Sequence, residues 1–311
     1  DGVPLMWLML DPGLDLLVDV QWTGRSDRLW SGQPEWMVRE QLRGHRDAPS
    51  QIDAARALSV FSTRSSVDAL ADAASDERNA VSVREAACAS LSVLVSGDAS
   101  AHALHRLLNL ARGAHLGSGD GASDGASDAV DDSSAARRHF MRRAVFRALG
   151  TARDARGLTP PKALDALHDA LDGASNSSSR YDDHYQLGEL VLQIGGAHSG
   201  RPGDGERALV QVERLLERDA LWPSYGRVLS RCCLVARCEL ELTGSLSPPA
   251  WDLYSSLEAD SAAHPLLRQA AVECLLRLAL LLGVDVALPP TPASLLQLAL
   301  RLDDSRRHAP R

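Results

Sequence analysis

The sequence predicts an all-α fold, a HEAT/ARM-like α-solenoid of antiparallel helix pairs, and three observations lead to it. Amphipathic patterns with helical spacing recur along most of the 311 residues, separated by glycine, proline or serine. Apolar residues make up 45% of the chain but aromatic residues only 4%, a composition that suits helices packed closely in pairs. Three of the helical patterns also share a nine-residue motif.

The first 33 residues differ from the remainder because they predict strands. Residues 3–10 and 14–22 are two apolar runs, and the Asp11-Pro12-Gly13 sequence between them favours a tight turn. Both runs are much shorter than the roughly 18 residues of a membrane span, so we expect no membrane association. An isolated hairpin is at best marginally stable in water. We therefore expect residues 1–33 to be the terminal strands of an upstream β domain.

The remaining chain divides into three predicted segments. Residues 34–112 would be the first HEAT-like helices, with helical patterns over 35–46, 50–61, 65–74, 81–95 and 100–112. Residues 113–134 are glycine, serine and aspartate with a repeated GASD unit, which predicts a disordered insertion rather than a calcium loop. Residues 135–311 would complete the solenoid, with helical patterns over 134–150, 160–171, 182–194, 205–218, 224–242, 249–258, 265–282 and 292–302.

The shared motif is an internal repeat. It reads VREAACASL at 83–91, MRRAVFRAL at 141–149 and LRQAAVECL at 267–275. On a helix its first, fifth and ninth positions lie on one face, and the small fifth residue lets a neighbouring helix approach. The pattern resembles the second helix of HEAT repeats, in which stacked helix pairs bury a face that no single pair could bury.

The second position of the motif is always arginine, and we name Arg84, Arg142 and Arg268 a candidate structural ladder. Acidic residues such as Asp76 and Asp260 lie in the turns that precede two of them. Two interpretations remain open: salt bridges between successive repeats, which the packing geometry favours, or a row of binding residues on the inner surface.

One helical segment is predicted to carry a basic stripe that could contact nucleic-acid phosphates or a partner. Its members are His139, Arg142, Arg143 and Arg147, opposite an apolar arc of Phe140, Met141, Ala144 and Ala148. The alternative is a solvated helix face neutralised by the neighbouring acidic insertion. The formal net charge of −8 opposes extensive contact with DNA, so any such binding by this chain should be weak and sensitive to salt.

The sequence contains no catalytic or metal-binding motif. HExxH, a Walker loop and a Rossmann fingerprint after a strand are all missing from it. The five cysteines lack the paired CxxC spacing of a structural zinc site and suit buried packing in a reducing compartment. We therefore predict no catalytic residue, cofactor or metal ligand.

The order of several motifs resembles a known family. The segments PLMWLMLDPGLDLLVDVQW and PEWMVREQLRGHRDAPSQIDAARAL, followed by RYDDHYQLGELVLQIG at 180–195 and LWPSYGRVLSRCCLVA at 221–236, are similar to the TBP-associated factor two family, the aminopeptidase-like subunits of general transcription factor TFIID. Departures are the insertion at 113–134, Asp183 in place of a family asparagine, and the stretch 150–180.

The resemblance implies a β-sandwich domain that leads into a HEAT-like domain, which would explain the opening hairpin. It also implies a nuclear, non-catalytic scaffold that supports core-promoter recognition and preinitiation complex assembly. The expected partners are other TFIID subunits, namely the largest subunit and the tail of a histone-fold subunit, and promoter DNA weakly. Two alternatives are the C-terminal solenoid of an active zinc aminopeptidase and an unrelated HEAT-repeat adaptor.

Overall fold

The computed structural model describes residue 7 and residues 33–116, 132–176, 184–246 and 249–282. Every regular element in these ranges is helical, which confirms the predicted all-α class. The predicted hairpin, apart from Trp7, and the predicted helix at 292–302 lie outside the described residues. No helix within these ranges combines the length and the apolar character that crossing a membrane would demand.

The helices follow the predicted order along the chain. They are α1 (Glu35–Gly44), α2 (Ala48–Leu58), α3 (Arg64–Ser75), α4 (Val81–Leu94), α5 (Ser100–Leu116), α6 (Asp132–Thr151), α7 (Pro161–Asn176), α8 (His184–Gly195), α9 (Asp204–Leu221), α10 (Val228–Leu242), α11 (Trp251–Ala259) and α12 (Pro265–Leu282). A 3₁₀ turn, Tyr225–Arg227, connects α9 to α10.

Polar side chains begin two of the early helices. The Asp47 carboxylate accepts a hydrogen bond from the Ser50 amide at 2.9 Å and caps α2. The Thr63 hydroxyl oxygen accepts one from the Ser66 amide at 3.1 Å and caps α3. Thr63 also donates to Glu35 Oε1 at 2.6 Å, and this bond ties the start of α3 to the start of α1.

Residues 1–166 form one compact unit in which helix pairs repeat. Neighbouring helices joined by short connections pack together as α1 with α2, α3 with α4 and α5 with α6. The second helices of successive pairs also contact one another, α2 with α4 and α4 with α6, while α3 contacts α1 and α5. This double layer is the arrangement expected of stacked helix pairs.

Residues 167–311 form the second compact unit, and the division falls within α7. Helix α10 lies at its centre, because it packs against α9 within its own pair and against both α8 and α12. Helix α11 pairs with α12 in turn. Alternate helices therefore contact one another, α8 with α10 and α10 with α12, as α2, α4 and α6 do in the first unit.

The repeated motif lies in α4, α6 and α12, each the second helix of a pair. Its predicted core face is buried in every copy, although Leu267 is only half-buried. The buried members are Val83, Ala87, Leu91, Met141, Val145, Leu149, Ala271 and Leu275. The first, fifth and ninth positions of the motif therefore form a packing face, as the sequence predicted.

The predicted bounds of the insertion, 113–134, include residues that are helical at both ends. Helix α5 continues through Gly113 to Leu116, and α6 already begins at Asp132. A single glycine lowers helix stability by only about 1 kcal/mol relative to alanine, so Gly113 does not end the helix. Residues 117–131 lie outside the described residues.

Candidate functional site

The first unit contains a cleft of about 760 Å³ lined by α3, α4, α5 and α6. Its cationic lining consists of Arg84, Arg106, Arg137, Arg138 and Arg142. Among the described lining residues the single acid is Glu77, from the connection between α3 and α4. We call this site the arginine cleft, and arginines outnumber acids in its described lining although the chain has a net charge of −8.

Two of these arginines are held in place by the surrounding helices. Arg106 is paired with two carboxylates of α3, with Nη2 at 2.8 Å from Asp72 Oδ1 and Nε at 3.4 Å from Asp68 Oδ1. Arg84 Nε donates a hydrogen bond to the carbonyl oxygen of Ala74 at 2.9 Å. Because these contacts already hold both guanidinium groups, their orientation in the cleft is set before any ligand binds.

The base of the arginine cleft is apolar. Small side chains of α3 lie beside larger ones from α5 and α6, and the set is Ala71, Ala74, Leu110, Met141 and Val145. Four of them are almost fully buried, and Leu110 is half-buried. The cleft therefore combines guanidinium groups with a floor that favours an apolar group.

The predicted basic stripe is divided by the structure. Arg142 lines the arginine cleft, whereas His139, Arg143 and Arg147 are not among the lining residues. Phe140 is 47% exposed, so its assignment to the apolar arc was wrong. The buried face of α6 follows positions 141, 145 and 148, and position 140 is rotated from it by about 100° because a helix has 3.6 residues per turn.

Two members of the predicted ladder make the same contact. Arg268 Nε donates to the Glu258 carbonyl oxygen at 3.0 Å, as Arg84 Nε does to that of Ala74. Both acceptors lie in the last turn of the preceding helix, where carbonyl groups lack partners within the helix. These bonds go to backbone carbonyls instead of the predicted Asp76 and Asp260.

The predicted acidic partners have other contacts. Asp76 receives hydrogen bonds from the side chain of Arg78, and these lower the pKa of Asp76 to about 2. Asp260 accepts a hydrogen bond from the amide of Ala262. The structural ladder of Arg84, Arg142 and Arg268 therefore stays a prediction. Arg84 and Arg268 make equivalent backbone contacts, and Arg142 lines the arginine cleft.

A second exposed surface lies at the turn between α9 and α10. Leu221, Trp222 and Tyr225 are 73%, 74% and 87% exposed. We call these three residues the aromatic turn. Exposed clusters of this kind are typical of protein–protein contact sites, where tryptophan and tyrosine contribute much of the binding free energy. The sequence singles out this segment only through its family resemblance, and no pattern in it reveals the exposed surface.

The aromatic turn is anchored by a buried carboxylate. Asp219 is fully buried and accepts hydrogen bonds from the Ser224 amide at 2.7 Å, the Ser230 amide at 3.2 Å and the Ser230 hydroxyl. The Arg227 guanidinium donates to the Asp219 carbonyl oxygen, and Arg227 itself has a φ of 53°. These bonds hold a left-handed residue that would otherwise be strained.

A buried polar chain links α7 and α9. His168 is fully buried, and its Nδ1 lies 2.5 Å from Gln211 Oε1, which can only accept, so Nδ1 carries the hydrogen. Gln211 Nε2 in turn donates to Asp172 Oδ1 at 2.9 Å. Burial, opposed in part by the Gln211 bond, lowers the pKa of His168 below its ordinary value of 6.5.

We expect acidification to destabilise the chain through His168. The unfolded state takes up a proton near the ordinary pKa, whereas the folded state does so only at lower pH, so stability falls as the pH drops below about 6.5. Chemical unfolding at a series of pH values would measure this loss. The His168→Gln variant should lose part of the pH dependence, and the exposed control His198→Gln should retain it. Equal pH profiles for the His168 variant and the unaltered chain would contradict the assignment.

The described residues bring together no group of three or more histidine, cysteine, aspartate or glutamate side chains suited to a metal ion. The cysteines are free thiols, and all but the half-buried Cys232 are buried. Burial raises the pKa of the Cys88 thiol to about 12, so it carries no reactive thiolate at neutral pH.

Comparison with known proteins gives consistent matches. A family model described as TAF2-like, TPR repeats matches residues 35–283. Among relatives named transcription initiation factor TFIID subunit 2, the Drosophila melanogaster protein is 30% identical over 291 residues, 88% of this chain and 23% of its own length. The Gallus gallus protein is 24% identical over 270 residues (79% and 21%), and the Danio rerio protein 22% over 263 residues (78% and 20%). The chain spans less than a quarter of the length of these relatives.

The family model extends from the first residue of α1 to just beyond α12. Its description names TPR repeats where the sequence predicted HEAT repeats, and both classes stack antiparallel helix pairs. The predicted repeat architecture and the family resemblance are therefore confirmed. The chain belongs to the TAF2-like family of TPR-repeat proteins.

Proposed function

We propose that this chain is part of a non-catalytic scaffold subunit of general transcription factor TFIID, which acts in the nucleus in core-promoter recognition and preinitiation complex assembly. The observation that carries the proposal is the match of residues 35–283 to the TAF2-like family, together with relatives named TFIID subunit 2. The arginine cleft and the aromatic turn support it, because both are surfaces suited to binding.

The proposed partners are other TFIID subunits, in particular the largest subunit and the tail of a histone-fold subunit. Arginine, tryptophan and tyrosine are the residues that most often dominate the binding free energy at protein interfaces. Among the described residues, five arginines line the cleft of the first compact unit, and an exposed tryptophan and tyrosine lie in the aromatic turn of the second. A scaffold that holds several subunits needs separate contact sites of this kind.

Affinity purification of the tagged full-length protein from nuclear extract tests the proposal. Mass spectrometry should recover the TATA-binding protein and the largest TFIID subunit. A purified protein that carries none of the TFIID subunits would contradict it. The same preparation should be assayed on aminoacyl substrates, because hydrolysis would favour the alternative of an active zinc aminopeptidase. Membership of the TAF2-like family removes the alternative of an unrelated adaptor.

For promoter DNA we propose only a weak contact through the basic stripe on α6. Reversing the charge of Arg142, Arg143 and Arg147 to glutamate should weaken binding of a promoter duplex and flatten its dependence on salt. Each lost phosphate contact lowers the slope of log affinity against log salt by about 0.9. Titration of labelled duplex at two salt concentrations measures both quantities.

The control for this experiment is an equal charge change outside α6. Arg64, Arg112 and Lys162 are all exposed, and their triple reversal alters the net charge of the chain by the same amount. We expect the control to retain most of the binding. If both triple variants bind the duplex equally, the stripe makes no specific contact with DNA.

A further inference from the structure

We propose that the arginine cleft binds a short acidic peptide segment that carries an apolar side chain. The cleft is built from four helices of one compact unit and has a volume of about 760 Å³, within the roughly 300–1,000 Å³ typical of ligand sites. This inference rests on the geometry of the cleft and does not depend on membership of TFIID.

The charge of the lining selects an anionic ligand. Five arginines and one acid, Glu77, are among the described lining residues, and Arg106 is already paired with Asp68 and Asp72 beside the cleft. Arginine binds carboxylates through two parallel hydrogen bonds, and such charge-assisted bonds are about twice as strong as neutral ones. The contacts of Arg84 with Ala74 and of Arg106 with Asp72 reduce the conformational entropy that these side chains lose when a ligand binds.

The floor of the cleft selects an apolar group on the same ligand. Leu110, Met141 and Val145 line the cleft together with the alanines of α3, and Leu110 is the most exposed of these five side chains. Water over such a floor is displaced favourably by a leucine or phenylalanine side chain. A peptide in which acidic and apolar residues alternate would satisfy rim and floor together.

The lining argues against a nucleic acid as the ligand. Among the described lining residues there is no aromatic side chain, and single-stranded nucleic acids bind through bases stacked on aromatic rings. The phosphates of a duplex lie on the outside of a rod and are met by open basic stripes. Apolar side chains at the base of a concavity would contribute nothing to such a contact.

Fluorescence anisotropy with synthetic probes tests the proposal on the 311-residue chain. The probe is a labelled peptide of alternating aspartate and leucine, and its counterpart replaces each leucine by serine at the same charge. The aspartate–leucine peptide should bind saturably and about tenfold more tightly than the aspartate–serine peptide. Equal affinity for the two peptides would overturn the role of the apolar floor.

Two variants of equal charge change locate the site. Arg137→Ala with Arg142→Ala removes two guanidinium groups from the cleft and should weaken binding of the aspartate–leucine peptide at least about tenfold. Arg43→Ala with Arg64→Ala removes two exposed arginines outside it and should change the affinity less than about twofold. Thermal unfolding of each variant checks that the fold is intact.

Two further outcomes would overturn the proposal. Equal weakening by both double variants would show that general electrostatic attraction holds the peptide, without a site. Unlabelled DNA, as a short duplex or a single strand, could compete with the labelled peptide. If the DNA displaces it at a lower concentration of phosphate groups than the carboxylate concentration that unlabelled peptide requires, the cleft prefers nucleic acid. Neither outcome bears on whether the full-length protein joins TFIID, so failure of this proposal and failure of the proposed function remain distinguishable.

Discussion

Replacement of Gly195 by valine is expected to destabilise the chain by more than about 3 kcal/mol. Gly195 is the last residue of α8 and is buried against α10. A Cβ atom at this position would lie 2.5 Å from Ala236 Cα and 2.7 Å from the Ala236 carbonyl oxygen. Both contacts are shorter than van der Waals separation and involve backbone, which cannot rotate away.

The helices α8 and α10 must therefore separate to accept any side chain at Gly195, and the packed surface around Ala236 is lost. Overpacking of a core typically costs about 1–3 kcal/mol, and we expect Gly195→Val to exceed that range because the obstacle is backbone. Gly188→Ala should cost less, since its new Cβ would meet Cys232 Sγ at 2.9 Å, the end of a side chain that can rotate.

Urea unfolding of the purified variants measures these free energies. Gly113→Ala is the matched control, because this helical glycine has no atom within 4 Å of the position of a Cβ. Alanine is a better helix former, so the control should gain up to about 1 kcal/mol. An unchanged unfolding midpoint for Gly195→Val would contradict the close approach of α8 and α10.

The second large effect is expected at Asp219. In Asp219→Asn an amide group replaces one carboxylate oxygen, so that donors from Ser224 or Ser230 face another donor inside the protein. Loss of a buried charge-assisted network typically costs about 3 kcal/mol. Chemical unfolding should register this loss, and near-ultraviolet circular dichroism should report a changed environment for Trp222 and Tyr225.

Asp219 also makes the stability of the fold depend on pH in the acidic range. Burial alone would raise the pKa of Asp219, but hydrogen bonds from Ser230 and Ser224 outweigh it, and the pKa is lowered from 3.8. A carboxyl with a depressed pKa stabilises the fold above its ordinary pKa, and this stabilisation is lost as the pH falls through the folded value. Below about pH 4 the unaltered chain should therefore lose the stabilisation that the ionised Asp219 carboxylate provides. Asp219→Asn lacks this stabilisation at every pH, so it should already be less stable at neutral pH. Equal stability of the two chains at neutral pH would contradict the anchoring role.

Local chemistry is sufficient to predict the helices of this chain. The patterns at 81–95, 100–112 and 265–282 predicted three helix starts at the observed residue, because Val81, Ser100 and Pro265 each follow turn-forming residues. The repeated motif also identified the buried face of α4 and α6. Helical spacing and turn residues act over a few positions, so a sequence can display them directly.

The candidate sites depend on tertiary contacts and were largely invisible to the same reasoning. Arg84 and Arg106 lie on different helices, and only packing brings them beside Arg142. In the sequence, Asp219 cannot be distinguished from an exposed surface aspartate. Only the folded turn places the Ser224 and Ser230 donors against its carboxylate. The pairing of α8 and α10 alone shows why Gly195 must lack a side chain.

The proposal that TFIID partners bind at the arginine cleft of this TAF2-like chain is tested most directly by hydrogen–deuterium exchange. Exchange should be measured on the full-length protein, alone and within assembled TFIID. We predict slower exchange in the assembly over the end of α3, the second half of α5 and residues 137–145, the backbone that lines the cleft. Unchanged exchange in these segments, in a complex shown to contain the protein, would contradict binding at this cleft.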